Sequence, residues 1–410
     1  MMIYDVVIVG AGASGLFSAA SFKKKINGLI LNNAKSPGTK LLMSGTGQCN
    51  FTKSGDIKKF IAHYGDKGAK IRKPLYKFSN QALIDYFEKN NIPTFEREDG
   101  KMFPKSLSSK DILDLLLLKL HPNGFSIKNT QCVINIISND GLFTLETEDG
   151  NIYNCSNLII ATGGSSYPDT GSNGSMFSVF SSLDLEIVPP RPGLVPVFVE
   201  NYGFQSLSGI SFPNATVSIS GHSTNGGLLL THNSFSGPAI LNASRYASTD
   251  ETIQLNYLPD IEPVRFLNDL KALISSSQKQ IATVLNDCLN NLEENVPKRF
   301  LDVICRMSDI DPTAKASGIS GKQLKALVSR LTKDSYTISG TAGYNLAMCT
   351  SGGVSLDEIN LNTFETKKYP HLYIIGEALD VDGDTGGYNI QFAFSSGYLC
   401  ATNLSSKLVR

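Results

Sequence analysis

The chain has 410 residues, and its 37 Lys and Arg balance 37 Asp and Glu, so the formal net charge is zero. That length predicts two or three domains, and the neutral balance offers no field for nucleic acid or an anionic membrane, so neither partner is expected. Seven Cys, an odd number without C-x-x-C, suit a reducing cytoplasm and give no metal or disulfide framework.

Tyr4-Asp5-Val6-Val7-Ile8-Val9 is an apolar, β-branched run that leads straight into Gly10-Ala11-Gly12-Ala13-Ser14-Gly15, and Leu16 to Ser21 reads as a helix. In this G-x-G-x-x-G, Gly10 permits the tight turn, Gly12 lets backbone reach a pyrophosphate, and Gly15 allows close helix–strand packing. The N–H groups and positive dipole end of the helix complete a phosphate site. No charged leader precedes the strand, so no signal peptide is expected. A second strand, Gly28 to Leu31, ends in Asn32-Asn33, where an acidic residue usually holds the adenosine ribose. An amide can accept that bond, at a loss of about 1 kcal/mol of charge assistance.

Pro37 to Asn50 is too rich in Gly and small polar residues for a regular element. Helices are predicted over 80–89 and 109–120, the latter containing the longest apolar stretch, Leu115 to Leu118, far too short to span a bilayer. Strands follow over 133–137, 142–147 and 152–155, with hairpin signals at Asn139-Asp140-Gly141 and Asp149-Gly150. A separate buried strand, 158–160, ends in Ala161-Thr162-Gly163-Gly164. At Pro189 to Gly193 the composition changes. Short strands over 195–199, 215–219, 228–231 and 252–257 suggest a small β-domain, and 262–332 is helical in period. A return strand is predicted at 336–339, and from Gly343 strand and glycine signals resume, clearest at Leu372 to Gly376. The predicted division is 1–188 with 343–410, 189–258 with 333–342, and 259–332.

The C-terminal Leu372 to Gly383 and Gly386-Gly387-Tyr388-Asn389-Ile390-Gln391 resemble the second FAD signature of the BaiN/RdsA-like flavoproteins, also called aminoacetone-oxidase-like. The N-terminal glycine motif, Ser44 to Thr52, Ala161 to Gly174 and Gly227 to Leu241 resemble the same family in the same order. The resemblance implies a Rossmann-type α/β FAD-binding domain of the two-dinucleotide-binding-domain class, interrupted by a β-barrel-like domain and a small helical domain. It also implies a noncovalent FAD contacted by Gly10, Gly12, Ala13, Ser14, Gly15, Asn32, Asn33, Lys40, Leu41, Ser44, Gly45, Cys49, Asn50, Val133, Ala161, Thr162, Gly163, Gly376, Glu377, Asp380, Gly386, Gly387, Tyr388, Asn389 and Ile390. The chain departs from the family's usual Glu at Asn32, Arg at Gln48 and Gly at Ser234. These changes predict a softer ribose contact, one cation fewer near the pyrophosphate and an altered turn beside His232.

Flavin redox requires that pyrophosphate charge be stabilised, ribityl hydroxyls be held and negative charge on the reduced ring be compensated. Glu377, assisted by Asp380, is placed for the ribityl or pyrophosphate contact, or is a solvated strand-end carboxylate. Gly386-Gly387 opens a helix whose dipole would face the ring, or is an ordinary helix entry. Cys49 has no local partner, since Ser54 stands five residues on, so packing is the preferred reading over redox. His232 is the candidate proton donor, with a structural histidine as the alternative. The resemblance implies an FAD-dependent oxidoreductase reducing a conjugated alkene or related small hydrophobic substrate. With one G-x-G-x-x-G only, NAD(P)H would serve as a transient donor. An amino-ketone oxidase using O2 and a flavin-binding sensor are the alternatives.

Overall fold

The computed structural model describes residues 2–139, 141–275 and 277–408, so Asp140 of the expected hairpin turn lies outside the described residues. The chain forms two compact units, one running to Gly193 and resuming at Tyr344, the other spanning Leu194–Gly343.

The first unit is built on a nine-stranded sheet. Its parallel heart contains β1 (Ile3–Val9), β2 (Gly28–Asn32), β3 (Phe125–Asn129), β4 (Ile152–Ile160) and β5 (Leu372–Ile374), ordered β5-β4-β1-β2-β3. Val6 pairs with Gly28 and Asn157, and Val9 with Leu31 and Ile160. Val6, Val7, Ile8, Leu29, Ile30, Ile159 and Ile160 are wholly buried, as a sheet covered on both faces requires. β4 is one continuous strand, not the expected two. One edge pairs parallel with β1 from Asn154 to Ile160, while the other pairs antiparallel with Leu142–Thr147 over residues 152–155 and parallel with β5 over 158–160, so Ser156-Asn157 is a change of partner on that edge and not a break. The helix α1 (Ala13–Ala20) follows β1. It is crossed by the C-terminal helix αC (Tyr388–Lys407) at Gly397, where a Cβ would lie 2.6 Å from the Ser14 carbonyl oxygen.

Pro189 to Gly193 does not open the second unit. Ile187–Gly193 is a strand of the first, paired antiparallel with Cys349–Val354 across an irregularity between Val188 and Arg191. An isolated two-stranded edge tolerates the prolines, which have no N–H to donate. A short helix, Thr39–Met43, stands where no regular element was expected. It starts behind Gly38, whose φ of 70° its missing side chain permits and whose N–H donates to the Ala11 carbonyl.

The second unit is a closed six-stranded barrel with four longer helices, Pro263–Ile274, Ile281–Asn291, Lys298–Met307 and Gly321–Thr332. Barrel and helices share one core, in which Phe300 of the third helix packs on Phe204, Phe212 and Tyr257. Buried Asp334 accepts from Tyr257 Oη (3.0 Å), Tyr336 Oη (2.5 Å) and Arg330 Nη1 (2.9 Å), while burial pushes its carboxyl pKa up. Asp334→Ala would leave these three donors without their acceptor. A loss of about 3 kcal/mol is expected, seen as a lower denaturation midpoint at unchanged slope.

Candidate functional site

The turn between β1 and α1 is shaped by two steric constraints. Gly10 has φ +107°, and a Cβ there would lie 2.3 Å from the Ala161 carbonyl oxygen. A Cβ on Gly15 would lie 2.0 Å from the Gly10 oxygen. Gly12 differs: its φ of −85° suits any residue, and a Cβ would meet no protein atom within 4 Å. Its hydrogen therefore faces an open cradle beside the start of α1, the place where a pyrophosphate approaches the backbone.

Two polar atoms around this turn are left for a ligand. Thr162 follows β4, its Cα 3.0 Å from a Cβ placed on Gly10, and its Oγ1 is buried with no hydrogen bond among the described residues. Such a group ordinarily finds a partner. Asn32, buried at the end of β2, donates its amide N–H groups to Ala34 O (3.0 Å) and Asn129 Oδ1 (2.9 Å), which orients its Oδ1 as an acceptor for a ribose hydroxyl. Gln131 N–H donates to Asn32 O and leads into Val133, buried at the head of its strand. Asn33 is half-buried beside them. These features fit an adenine dinucleotide.

Two of the loops expected from the resemblance, those after β4 and β5, meet this turn. Gly376, at φ +68°, sits so close to Ser14 that a Cβ would be 2.5 Å from its Oγ, and Gly163, at φ +73°, sits against Ser172. Ser44 donates to Leu41 O (2.6 Å) and accepts the Cys49 N–H on its own carbonyl (2.9 Å), which winds Gly45 to Cys49 into a tight loop. Cys49 is fully buried, and burial pushes its thiol up to about 12, so it is a neutral packing group at working pH. Cys49→Ser is therefore expected to leave the rate of flavin bleaching by its donor within a few-fold. A hundredfold loss at full FAD occupancy would restore a thiol mechanism.

Glu377 has a different part from the one expected. Its Oε2 takes Lys40 Nζ at 2.7 Å, and its Oε1 takes Ser166 Oγ at 2.6 Å and Thr350 N at 2.7 Å. Lys40 Nζ also reaches Ser166 Oγ at 2.5 Å. The carboxylate is thus a brace between four segments and not a free acceptor for ribityl hydroxyls. Asp380 is likewise paired, with Lys67. Asn389 clamps the preceding loop through paired bonds to Gly383, accepting from its N–H at 2.8 Å and donating to its carbonyl at 2.9 Å.

Gly386 and Gly387 carry φ +121° and +96°, and a Cβ on Gly387 would lie 2.8 Å from the Thr52 backbone. With its amide turned to satisfy its neighbours, Asn50 accepts from Gly387 N–H (3.2 Å) and donates to Thr52 O (2.8 Å). αC thus starts beside the loop of residues 44–52, with Tyr388 buried and Ile390 half-buried in its first turn. Tyr388 stacks on His63 at 4.3 Å, and His63 Nδ1 lies 2.9 Å from Asp384 Oδ2, a pair that sequence spacing gave no means of finding. A cation does stand beside Gln48: Arg97, just after the strand Thr94–Glu96, donates to Gln48 Oε1 and lies 4.1 Å above the Phe103 ring.

In the second unit, Ser234 is absorbed into its turn. Its N–H donates to Thr231 Oγ1 (3.0 Å), and its carbonyl accepts from the same hydroxyl (2.8 Å). His232 stands exposed at the tip of that turn, with no hydrogen bond among the described residues.

A parallel sheet with this cradle at its first crossover, and an inserted barrel, define a Rossmann-type flavoprotein, an FAD-dependent oxidoreductase. The chain belongs to the HI0933-like family, whose Rossmann-domain model matches residues 4–403. It is 32% identical to the ribosomal RNA dihydrouridine synthase of Escherichia coli K12, over 98% of both chains. It is 26% identical to the 3-dehydro-bile acid delta(4,6)-reductase of Clostridium scindens, over 96% of this chain and 97% of that one. Among solved structures, E. coli quinol fumarate reductase FrdA superposes with a TM-score of 0.51 at 14% identity, covering 100% of this chain and 71% of that one, a likeness of fold. Among the described residues, no helix is long and apolar enough to cross a membrane.

Proposed function

We propose that the protein reduces a carbon–carbon double bond conjugated to a carbonyl, and that its substrate is a uridine of ribosomal RNA. The two relatives support one chemistry. A uracil C5=C6 bond and a bile-acid enone are both alkenes polarised by a carbonyl, which accept hydride at the β-carbon and a proton at the α-carbon. The observation that carries the choice of substrate is the 32% identity, over 98% of both chains, to an rRNA dihydrouridine synthase, against 26% for the steroid reductase. This departs from the expectation that a neutral chain has no nucleic-acid partner.

FAD, held noncovalently, would supply the hydride once reduced by a visiting NAD(P)H. No second G-x-G-x-x-G holds a nicotinamide permanently. The chain's own part is to bind the dinucleotide on Gly12 and the start of α1, hold the ribose at Asn32, and set the start of αC toward negative charge on the reduced ring. The proton for the α-carbon is assigned to His232.

The test is anaerobic. Protein is reduced with NADPH, freed of excess nucleotide, and mixed with unmodified rRNA transcripts or with a 3-oxo-4,6-diene steroid. Reoxidation of the flavin by RNA and not by steroid is expected. The reverse preference would assign the steroid class, and in a separate aerobic arm without NADPH, flavin reduction by an amino-ketone followed by reoxidation by O2 would assign the oxidase alternative. All flavin should leave the protein on acid precipitation; yellow colour in the pellet would contradict noncovalent binding.

A further inference from the structure

Chain-wide neutrality conceals a strong local asymmetry. Between Lys53 and Lys77 there are eight Lys and Arg against two Asp, so the remainder of the chain is correspondingly acidic. The segment folds as two short helices, α2 (Ile57–Ile61) and α3 (Gly68–Lys77), joined by a 3-10 turn. They pack closely because Gly68 has no side chain; a Cβ would lie 2.3 Å from Ile61 O.

On α3 the buried residues Gly68, Ile71, Pro74 and Leu75 form one stripe. The opposite arc is exposed and holds Lys70, Arg72, Lys73, Tyr76 and Lys77 with only Ala69 among them. Lys70 is paired with Asp357, and Lys77 touches Asn362. Lys58 and Lys59 on α2, with Arg72 and Lys73 on α3, are exposed and have no acidic partner among the described residues. Tyr76 adds a ring that is 46% exposed. Unpaired cations interleaved with an exposed aromatic are the composition that binds a phosphodiester backbone and stacks an unpaired base.

The position matters as much as the charge. The inner face of α3 packs on αC, the helix whose glycine entry borders the candidate flavin site. The 3-10 turn lays Tyr64 Oη on the Tyr388 carbonyl at 2.7 Å and His63 against the Tyr388 ring.

We infer that the exposed face of α2 and α3, through Lys58, Lys59, Arg72 and Lys73, is the surface on which the RNA backbone lies while a uridine is presented to the flavin. This rests on the rRNA reading above, and charge complementarity selects the occupant.

The experiment compares the FAD-loaded wild type with a variant carrying Lys58→Gln, Lys59→Gln, Arg72→Gln and Lys73→Gln. Binding to unmodified rRNA transcripts is measured across a salt series. Flavin content and bleaching by NADPH are measured on the same samples, and phosphatidylserine vesicles are run in parallel. The expected result is at least a tenfold weaker RNA complex, and a salt slope shallower by about 3 for four lost contacts at 0.7–0.9 each, with flavin content and bleaching unchanged. Equal affinity and slope in wild type and variant would overturn this surface while leaving the substrate reading intact. A wild type that binds vesicles but no RNA would overturn both. Should the quadruple variant lose flavin, the two double variants, Lys58→Gln with Lys59→Gln and Arg72→Gln with Lys73→Gln, decide the matter. Each should flatten the slope by about 1.5, half the change expected of the quadruple variant, and no change in either would reject the surface.

Discussion

Gly12→Val should give a folded, colourless protein. A valine is compatible with the local φ of −85°, and its Cβ would enter space in which no protein atom lies within 4 Å. Unfolding midpoints of the apoproteins should therefore agree closely. The bulk would instead occupy the cradle needed by a pyrophosphate, and FAD affinity should fall by roughly a thousandfold, about 4 kcal/mol. Gly10→Ala and Gly15→Ala make the contrast. Their Cβ atoms would lie 2.3 Å and 2.0 Å from backbone oxygens, so both should lose stability outright. The measurement is flavin content beside the thermal midpoint for all three. A yellow Gly12→Val, or one as unstable as Gly10→Ala, would remove the turn from the cofactor site.

His232→Asn should separate the two half-reactions. Only substrate reduction needs a proton at carbon, so turnover should drop by about 10²- to 10⁴-fold, while flavin bleaching by NADPH stays unchanged. The exposed, unbonded ring at the tip of the Thr231–Ser234 turn makes the change structurally mild. Stopped-flow measurement of each half-reaction checks it. Equal slowing of both, or of neither, would return His232 to the status of a surface residue and direct attention to His63, which lies beside Tyr388 with Asp384 at 2.9 Å.

The parts legible in the sequence were those that local chemistry dictates. Gly10, Gly12 and Gly15 could be given separate duties because a turn, a cradle and a packing contact each exclude a side chain for a different reason. The barrel strands could be read from alternation and turn residues, and the inserted helices from their period. What stayed hidden was set by distant residues. Glu377 looked like a free strand-end acceptor because Lys40, Ser166 and Thr350, which occupy it, are brought to it only by the fold. Arg97, just past the strand Thr94–Glu96, places a cation beside Gln48 that no local spacing announced. Ile187–Gly193 looked like a domain boundary because prolines mark loops unless an edge pairing, here with Cys349–Val354, gives them a place. Summed charge misled for a related reason: a total of zero says nothing about a 25-residue segment with eight cations and two acids.

The measurement closest to the central claim is mass spectrometry of nucleosides. Unmodified rRNA is incubated with the FAD-loaded protein and NADPH, digested, and examined for uridine heavier by two hydrogens. Dihydrouridine is expected at a defined position, dependent on NADPH and absent with Gly12→Val. Full flavin reduction by NADPH with no dihydrouridine in any rRNA would contradict it.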